Sequence, residues 1–435
     1  MPIAFRAAST PTNASTASAT ISLPTGTTTG DVTIIASASA QASNSVGGAT
    51  ATVPSGWTAI VNVPGYLVCY RAYQSGDPTT ISITWSASAW VTTGAVTYAG
   101  CDTANPIDSA AWCLTADQGS ATPPLRAPSL APRYPGGQVV CAYGYGSNSS
   151  GITLTLPSGL TSESSSTAGP SLTIADVANG TASTPTGNKD ASTLVTSGFL
   201  AFGCQALLKA SGAAALTRNA NFLETVGLFQ SNGFTASSVS TFPLSALGVQ
   251  VGDLVLLAIS SAATTITPPT GWTTAQTSAD GVLCYRVAQA GDTSTPTISF
   301  SSSAAACYEI VILRPSYALT SGSVAVDTSG QTTGASSTTV ATPSIVPATT
   351  SDFLAVFAAS KGGAATWSLS AGPTRDLASN SAASTQFAWE QPSANPSGSF
   401  TWTASASMST LTAWSLLAKL PVVVPVVQPL QMIIT

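Results

Sequence analysis

Pro54-Ser55-Gly56-Trp57, Cys69-Tyr70-Arg71, Gly76-Asp77 and Thr80-Ile81-Ser82-Ile83-Thr84-Trp85 follow one another in a single stretch, residues 54–85. The last of these motifs alternates apolar and polar residues with period two and is rich in β-branched types, the pattern of a strand with one wet face. Pro-x-Gly-Trp is a tight turn, in which proline fixes φ and glycine supplies a positive one. Gly-Asp ahead of a strand is a turn whose aspartate can accept hydrogen bonds from nearby backbone amides. Similar strand patterns recur at Val32-Thr33-Ile34-Ile35-Ala36 and Ile152-Thr153-Leu154-Thr155-Leu156. Helical periodicity is nearly absent, and many short strands separated by Gly, Pro, Asn and Ser imply an all-β sandwich or jelly roll.

The stretch is written twice. Pro269-Thr270-Gly271-Trp272, Cys284-Tyr285-Arg286 and Gly291-Asp292 repeat it in the same order. Gly30-Asp31-Val32 matches Gly252-Asp253-Leu254, and Ala127-Pro128-Ser129-Leu130 matches Thr342-Pro343-Ser344-Ile345. Fainter echoes lie inside each copy: Leu156-Pro157-Ser158-Gly159-Leu160-Thr161 follows Val53-Pro54-Ser55-Gly56-Trp57-Thr58, and Phe400-Thr401-Trp402 resembles Ile83-Thr84-Trp85. The expected architecture is two tandem jelly-roll-like β-sandwich domains, residues 1–212 and 213–421, each of two related halves. The halves are expected to merge into one larger sandwich, because a larger unit buries a greater fraction of its surface. A helix or linker is expected at Ala210 to Leu223. A Val/Pro-rich extended arm, residues 422–435, follows, with Val422, Val423, Val424, Val426 and Val427 as its anchoring residues; an apolar extended segment can add a strand to a partner sheet.

Composition narrows the function. Of 435 residues, 44% are hydrophobic and only 7% charged, against about 25% charged in average soluble proteins. A polar but uncharged surface suits a protein outside the cell or on a particle. The net charge of −5, from 12 basic and 17 acidic residues without a basic run, speaks against phosphate neutralisation and so against nucleic acid. Met1-Pro2-Ile3-Ala4-Phe5-Arg6 is not read as a signal peptide, and no apolar run is long enough for a membrane span.

The chain contains no histidine, which removes Ser-His-Asp and Cys-His triads and the commonest general base. A Ser-Lys arrangement could draw only on Lys189, Lys209, Lys361 and Lys419; Lys209 and Lys419 are repeat equivalents at strand ends, where a structural role is expected. Asp31 and Asp253, Asp77 and Asp292, Asp108 and Asp327 are paired by the repeat at turns, where backbone capping accounts for them. Glu163, Asp176 and Asp190 share one Ser/Thr-rich stretch and could gather oxygen ligands for calcium or act as a glycosidase pair, but solvated loop carboxylates are the plainer account. The reading is therefore of a non-enzyme with no catalytic residues, no cofactor and no metal.

Seven cysteines are present at 69, 101, 113, 141, 204, 284 and 307. Their spacing fits no zinc pattern, and burial as small apolar residues is expected for most of them. Cys101 and Cys113 flank a loop and form a candidate disulfide; Cys141 and Cys204 could face each other across neighbouring strands. Trp57, Trp85, Trp272 and Trp402 fall at repeated positions and are expected in cores. Trp90, Trp112, Tyr143, Tyr145, Trp367 and Trp389 lie near turns or lack a repeat partner, and are the candidate sugar-stacking residues, with Tyr143-Gly144-Tyr145-Gly146 as the expected contact loop.

Together these motifs resemble a β-sandwich module of minor structural proteins of tailed bacteriophages, a module also found in some bacterial surface proteins. Copy one carries Gly30-Asp31, Pro54 to Trp57, Tyr70, Gly76-Asp77-Pro78, Thr84-Trp85-Ser86, Tyr98-Ala99-Gly100 and Asn105-Pro106-Ile107-Asp108. Copy two departs at Thr293, Ser302 and Ala325-Val326-Asp327. The resemblance implies a virion component, of a family often labelled minor tail protein, made in the host cytoplasm and placed on the capsid or tail surface. It would decorate the particle or form a fibre, bind other virion proteins and form a homo-oligomer. A carbohydrate-binding adhesin that attaches to a host-surface glycan is the alternative, and a hydrolase of surface polysaccharide the third.

Overall fold

In the computed structural model, residues 2–40, 49–117, 125–130, 132–147, 151–178, 186–193, 200–214, 223–240, 244–262, 265–292, 295–315, 324–347, 353–361, 367–369, 374–378, 383–390 and 397–419 are described. Among them the only helix is the single 3-10 turn Leu244–Leu247, and strands make up the rest of the regular structure. No described helix is long and apolar enough to cross a membrane.

One six-strand pattern is used four times. In unit one the first strand comes in two pieces, Ala4–Ala8 and Thr12–Ser22, and the others are Val32–Ser39, Ala51–Thr52, Thr58–Val63, Tyr66–Ala72 and Thr80–Ala99. The last strand lies between the first and second, the fifth and fourth follow, and the short third pairs with the opening half of the last. Unit three repeats this with Leu223–Ser240, Leu254–Ser261, Ile266–Thr267, Thr273–Thr277, Gly281–Val287 and Thr297–Pro315, and unit four with Ala325–Ala341, Phe353–Lys361, Trp367–Leu369, Thr374–Ala378, Ala383–Glu390 and Thr401–Lys419. Unit two follows the same order, but its first strand is divided into Ile107–Asp117 and Leu125–Ala127 and its last into Lys189–Thr193 and Leu200–Leu208. Even the irregularities recur. The fourth strand bulges at its third residue in every unit: Ile60, Glu163, Ala275 and Asp376 each lie at the register shift.

The long last strand explains how each unit closes. Thr80–Ala99 alternates exposed and buried residues over its first half and is buried on both faces over its second; Thr297–Pro315 and Thr401–Lys419 do the same. A half-buried strand shows alternation, and one covered on both faces shows a continuous small or apolar run. In unit one the first half, with Ile81, Ile83 and Trp85, covers one face of the sheet at Ile35, Leu67, Cys69 and Ala95. The opposite face, with Ile34, Tyr66, Val68 and Tyr98, packs on Ala142, Leu172, Ile174 and Phe202 of unit two. Units three and four face each other in the same way, Leu256, Leu283 and Val311 against Phe353, Phe357 and Trp414. Units one, two and four also have a core cluster each, whereas Val255, Leu257, Ile298 and Phe300 of unit three fall in one cluster with the residues packed between units one and two.

The expected boundary near residue 212 does not divide the sheets. The first strands of units two and three lie side by side in parallel, Trp112 opposite Gly227 and on to Asp117 opposite Asn232, so that one eleven-stranded sheet runs through both copies. Of the segment from Ala210 to Leu223, Ala210 bridges to Cys101 and a turn follows; residues 215–222 lie outside the described set.

Candidate functional site

The three motifs that open the sequence meet at one place. At Pro54-Ser55-Gly56-Trp57 the Trp57 amide donates to the Pro54 carbonyl at 3.0 Å, and Gly56 has φ +79°, as a type II turn requires at its third residue. The same turn forms at Pro269 to Trp272 and, with Leu160 in place of tryptophan, at Pro157 to Leu160. Each Gly-Asp is a second turn of this kind. Gly76 has φ +88°, Asp77 donates its amide to the Gln74 carbonyl, and the Asp77 carboxylate accepts the Gln74 amide at 2.9 Å. Asp31, Asp253 and Asp292 close on Thr28, Gln250 and Gln289 in the same manner.

Arg71 ties the two turns together. Its Nε donates to Asp77 Oδ2 at 2.8 Å, its Nη2 to Oδ1 at 2.5 Å, and its Nη1 to the Gly56 carbonyl at 2.8 Å. Arg286 repeats all three bonds with Asp292 and Gly271. The bidentate guanidinium holds the carboxyls of Asp77 and Asp292 below the usual range. A cleft of about 230 Å³ opens beside this brace in unit one. Buried Thr33, Trp57 and Ile81 form its floor; Arg71, Tyr73 and Asp77 line it; Ser55 and Pro78 stand exposed at its rim. Sequence reading gave the motifs separate roles and missed the cleft. The signal available was a difference between copies: Ala288 stands where copy one has Tyr73, and Thr293 where it has Pro78.

Five further aspartates serve as braces as well. Asp31 pairs with Arg6, Asp253 with Arg314, Asp108 with Arg133, Asp102 with Lys209 and Asp327 with Lys419. Of the expected acidic cluster, Asp190 is held in a fork by Arg126. Glu163 and Asp176 lie close together on neighbouring strands. Asp176 accepts the Tyr98 hydroxyl at 2.8 Å, and burial raises the pKa of both acids.

The expected contact loop is a core strand. Gln138–Tyr145 is buried throughout, and Tyr143 and Tyr145 are 0% exposed. Alternation turns both rings into the core of unit two, where the Tyr143 hydroxyl donates to the Lys189 carbonyl. Gly144 faces the other way, and a Cβ there would stand 2.4 Å from the Tyr66 ring. That ring stacks on Phe202 at 4.7 Å, and the Tyr66 hydroxyl donates to the Leu200 carbonyl. Trp112 is likewise buried, at the seam between the copies, with Gly227 beneath its ring. Trp367 is buried edge-on against Trp402, 6.4 Å away. Trp57, Trp85 and Trp402 are core residues, whereas Trp272 is only half-buried. Trp389 lies opposite Ala355 and Thr374, with its side chain outside the described set. Trp90 alone among the candidates is described as exposed, at 45%.

Cys101 and Cys113 do not form a disulfide. Both thiols are free, and they belong to separate cores. Cys141 and Cys204 are also free; they sit on adjacent strands one register position apart and so point to opposite faces. Burial pushes Cys101, Cys113 and Cys141 up to about 12 and raises Cys69, Cys204 and Cys284 further. The arm residues Val422, Val423, Val424, Val426 and Val427 lie outside the described residues.

No family model, curated protein or solved structure matches this chain.

Proposed function

We propose that this chain is a non-enzymatic structural protein of a tailed-phage virion, built as two tandem jelly-roll-like sandwich domains. It decorates the capsid or tail, or forms a fibre there, in multiple copies. One observation carries the reading. A single sheet unit is repeated four times, and its recurring charged residues are engaged in bracing their own turns and strand ends. Repetition of a braced unit with no histidine supports a role in covering or connecting other proteins. The Val/Pro-rich residues 422–435 act as the anchor, by adding a strand to a neighbouring virion protein. The host cytoplasm is the site of synthesis and the particle surface the destination.

The test is co-sedimentation of the protein with intact particles through a density gradient, with and without residues 422–435. The full chain is expected in the particle band and the truncated chain in the soluble fraction. Absence of the full chain from purified particles would overturn the virion assignment, and full occupancy by the truncated chain would overturn the anchor.

A further inference from the structure

We infer that the cleft beside Trp57 in unit one binds a neutral saccharide ring. Its charges decide the ligand class. Arg71 and Asp77 neutralise each other inside the cleft wall, the fork using three of its five N–H groups on Asp77 and Gly56. An anion would have to approach the Asp77 carboxylate, and a cation the guanidinium. A wholly apolar ligand would cover the remaining donor and acceptor positions of the pair without replacing their water. A polyhydroxylated ring meets both demands: its hydroxyls can accept from the guanidinium and donate to the carboxylate, while its C–H face lies on the rings of Trp57 and Tyr73.

Size points the same way. At about 230 Å³ the cleft is smaller than the pockets of roughly 300–1,000 Å³ that hold drug-sized ligands, which limits it to one sugar ring, such as the end or a branch of a glycan. The two copies separate the brace from the site. The Arg–Asp–Gly brace is present in both and is architectural. Tyr73 and Pro78 belong to copy one only, so copy one is the binding copy. Because Ala288 occupies the position of Tyr73 in copy two, the fold accepts alanine there.

Saturation-transfer NMR on the full chain with glucose, galactose, mannose and N-acetylglucosamine tests the site, with glucuronate and glucosamine as charged controls. At least one neutral sugar should receive saturation and the charged ones less. Tyr73→Ala should weaken binding by about tenfold or more, and Ser55→Trp, which places a bulky ring at the exposed rim, should abolish it. Melting curves of both variants report whether they are folded. No transfer to any neutral sugar, or transfer equal in the wild type and both folded variants, would overturn the inference.

Discussion

The guanidinium of Arg71 occupies the space in which a side chain on Gly56 would begin: a Cβ built there would fall 1.7 Å from Nη1. Gly56 is therefore required twice, for its positive φ and for the approach of Arg71. At Gly271 the corresponding distance to Arg286 Nη1 is 2.6 Å, so the demand is the same and the fit looser. Gly56→Ala should destabilise the protein by about 2 kcal/mol or more, from left-handed strain together with disruption of the bonds of Arg71. Gly271→Ala should cost less. Urea unfolding of the two variants side by side checks the order; equal costs, or a neutral Gly56→Ala, would contradict it.

The seam between the copies should be sensitive in both directions. Trp112→Ala removes a large buried ring and should cost about 3–5 kcal/mol. Gly227→Ala places a methyl 2.6 Å from Trp112 Cζ2 and should cost about 1–3 kcal/mol by overpacking. The double variant should be less destabilised than the sum, because the ring that clashes is gone. A double-mutant cycle by thermal unfolding reads the coupling, and strict additivity would show that the two residues do not meet.

Stability should pass through a maximum on the mildly acid side. Asp77, Asp292 and Asp102 have lowered pKa values because Arg71, Arg286 and Lys209 bond to them. Their contribution is complete above the unfolded value of about 3.9 and is lost as pH falls through their folded values. Glu163 and Asp176 behave oppositely: burial raises them, so the cost of keeping them ionised is present at neutral pH and is relieved as pH drops through their raised values. Asp176→Asn should flatten the rise from neutral to mildly acid pH, and Asp77→Asn should soften the fall at lower pH. Melting temperatures across the pH range decide; a wild-type profile that declines steadily from neutrality would be evidence against the opposing pair of effects.

The thiols should be silent in the folded protein. All seven are buried, and thiolates rather than thiols react. A thiol reagent should label none under native conditions and all seven after denaturation, and a reductant should leave the melting temperature unchanged. Native labelling at Cys101 or Cys113 would contradict their placement.

The exposed Trp90 should be dispensable for folding. Trp90→Ser is expected to change stability by no more than about 0.5 kcal/mol, as for other surface substitutions. A larger loss in chemical denaturation would mean that this ring is covered.

The backbone pattern was more legible than the side-chain geography. Alternation in Thr80 to Trp85 and the Pro-x-Gly-Trp and Gly-Asp turns were readable because strands and turns follow from local residue types. The faint echo at Pro157-Ser158-Gly159-Leu160 proved to be the same turn in a further unit. Tyr143 and Tyr145 misled because Gly-Tyr repeats read as loops, whereas the glycine here makes room for Tyr66, a residue distant in sequence and supplied by another unit. Trp112 misled for a related reason: its partner Gly227 lies in the other copy. The cleft required three motifs to converge, and only the fold brings them together.

The shared ladder from Trp112–Asp117 to Gly227–Asn232 makes the duplicated chain one mechanical body instead of two beads on a string. A protease nick within residues 212–222 should leave the fragments joined, co-eluting as a single species until the sheet itself is melted. Tension applied through the two ends would likewise have to shear interlocked strands before the chain could lengthen.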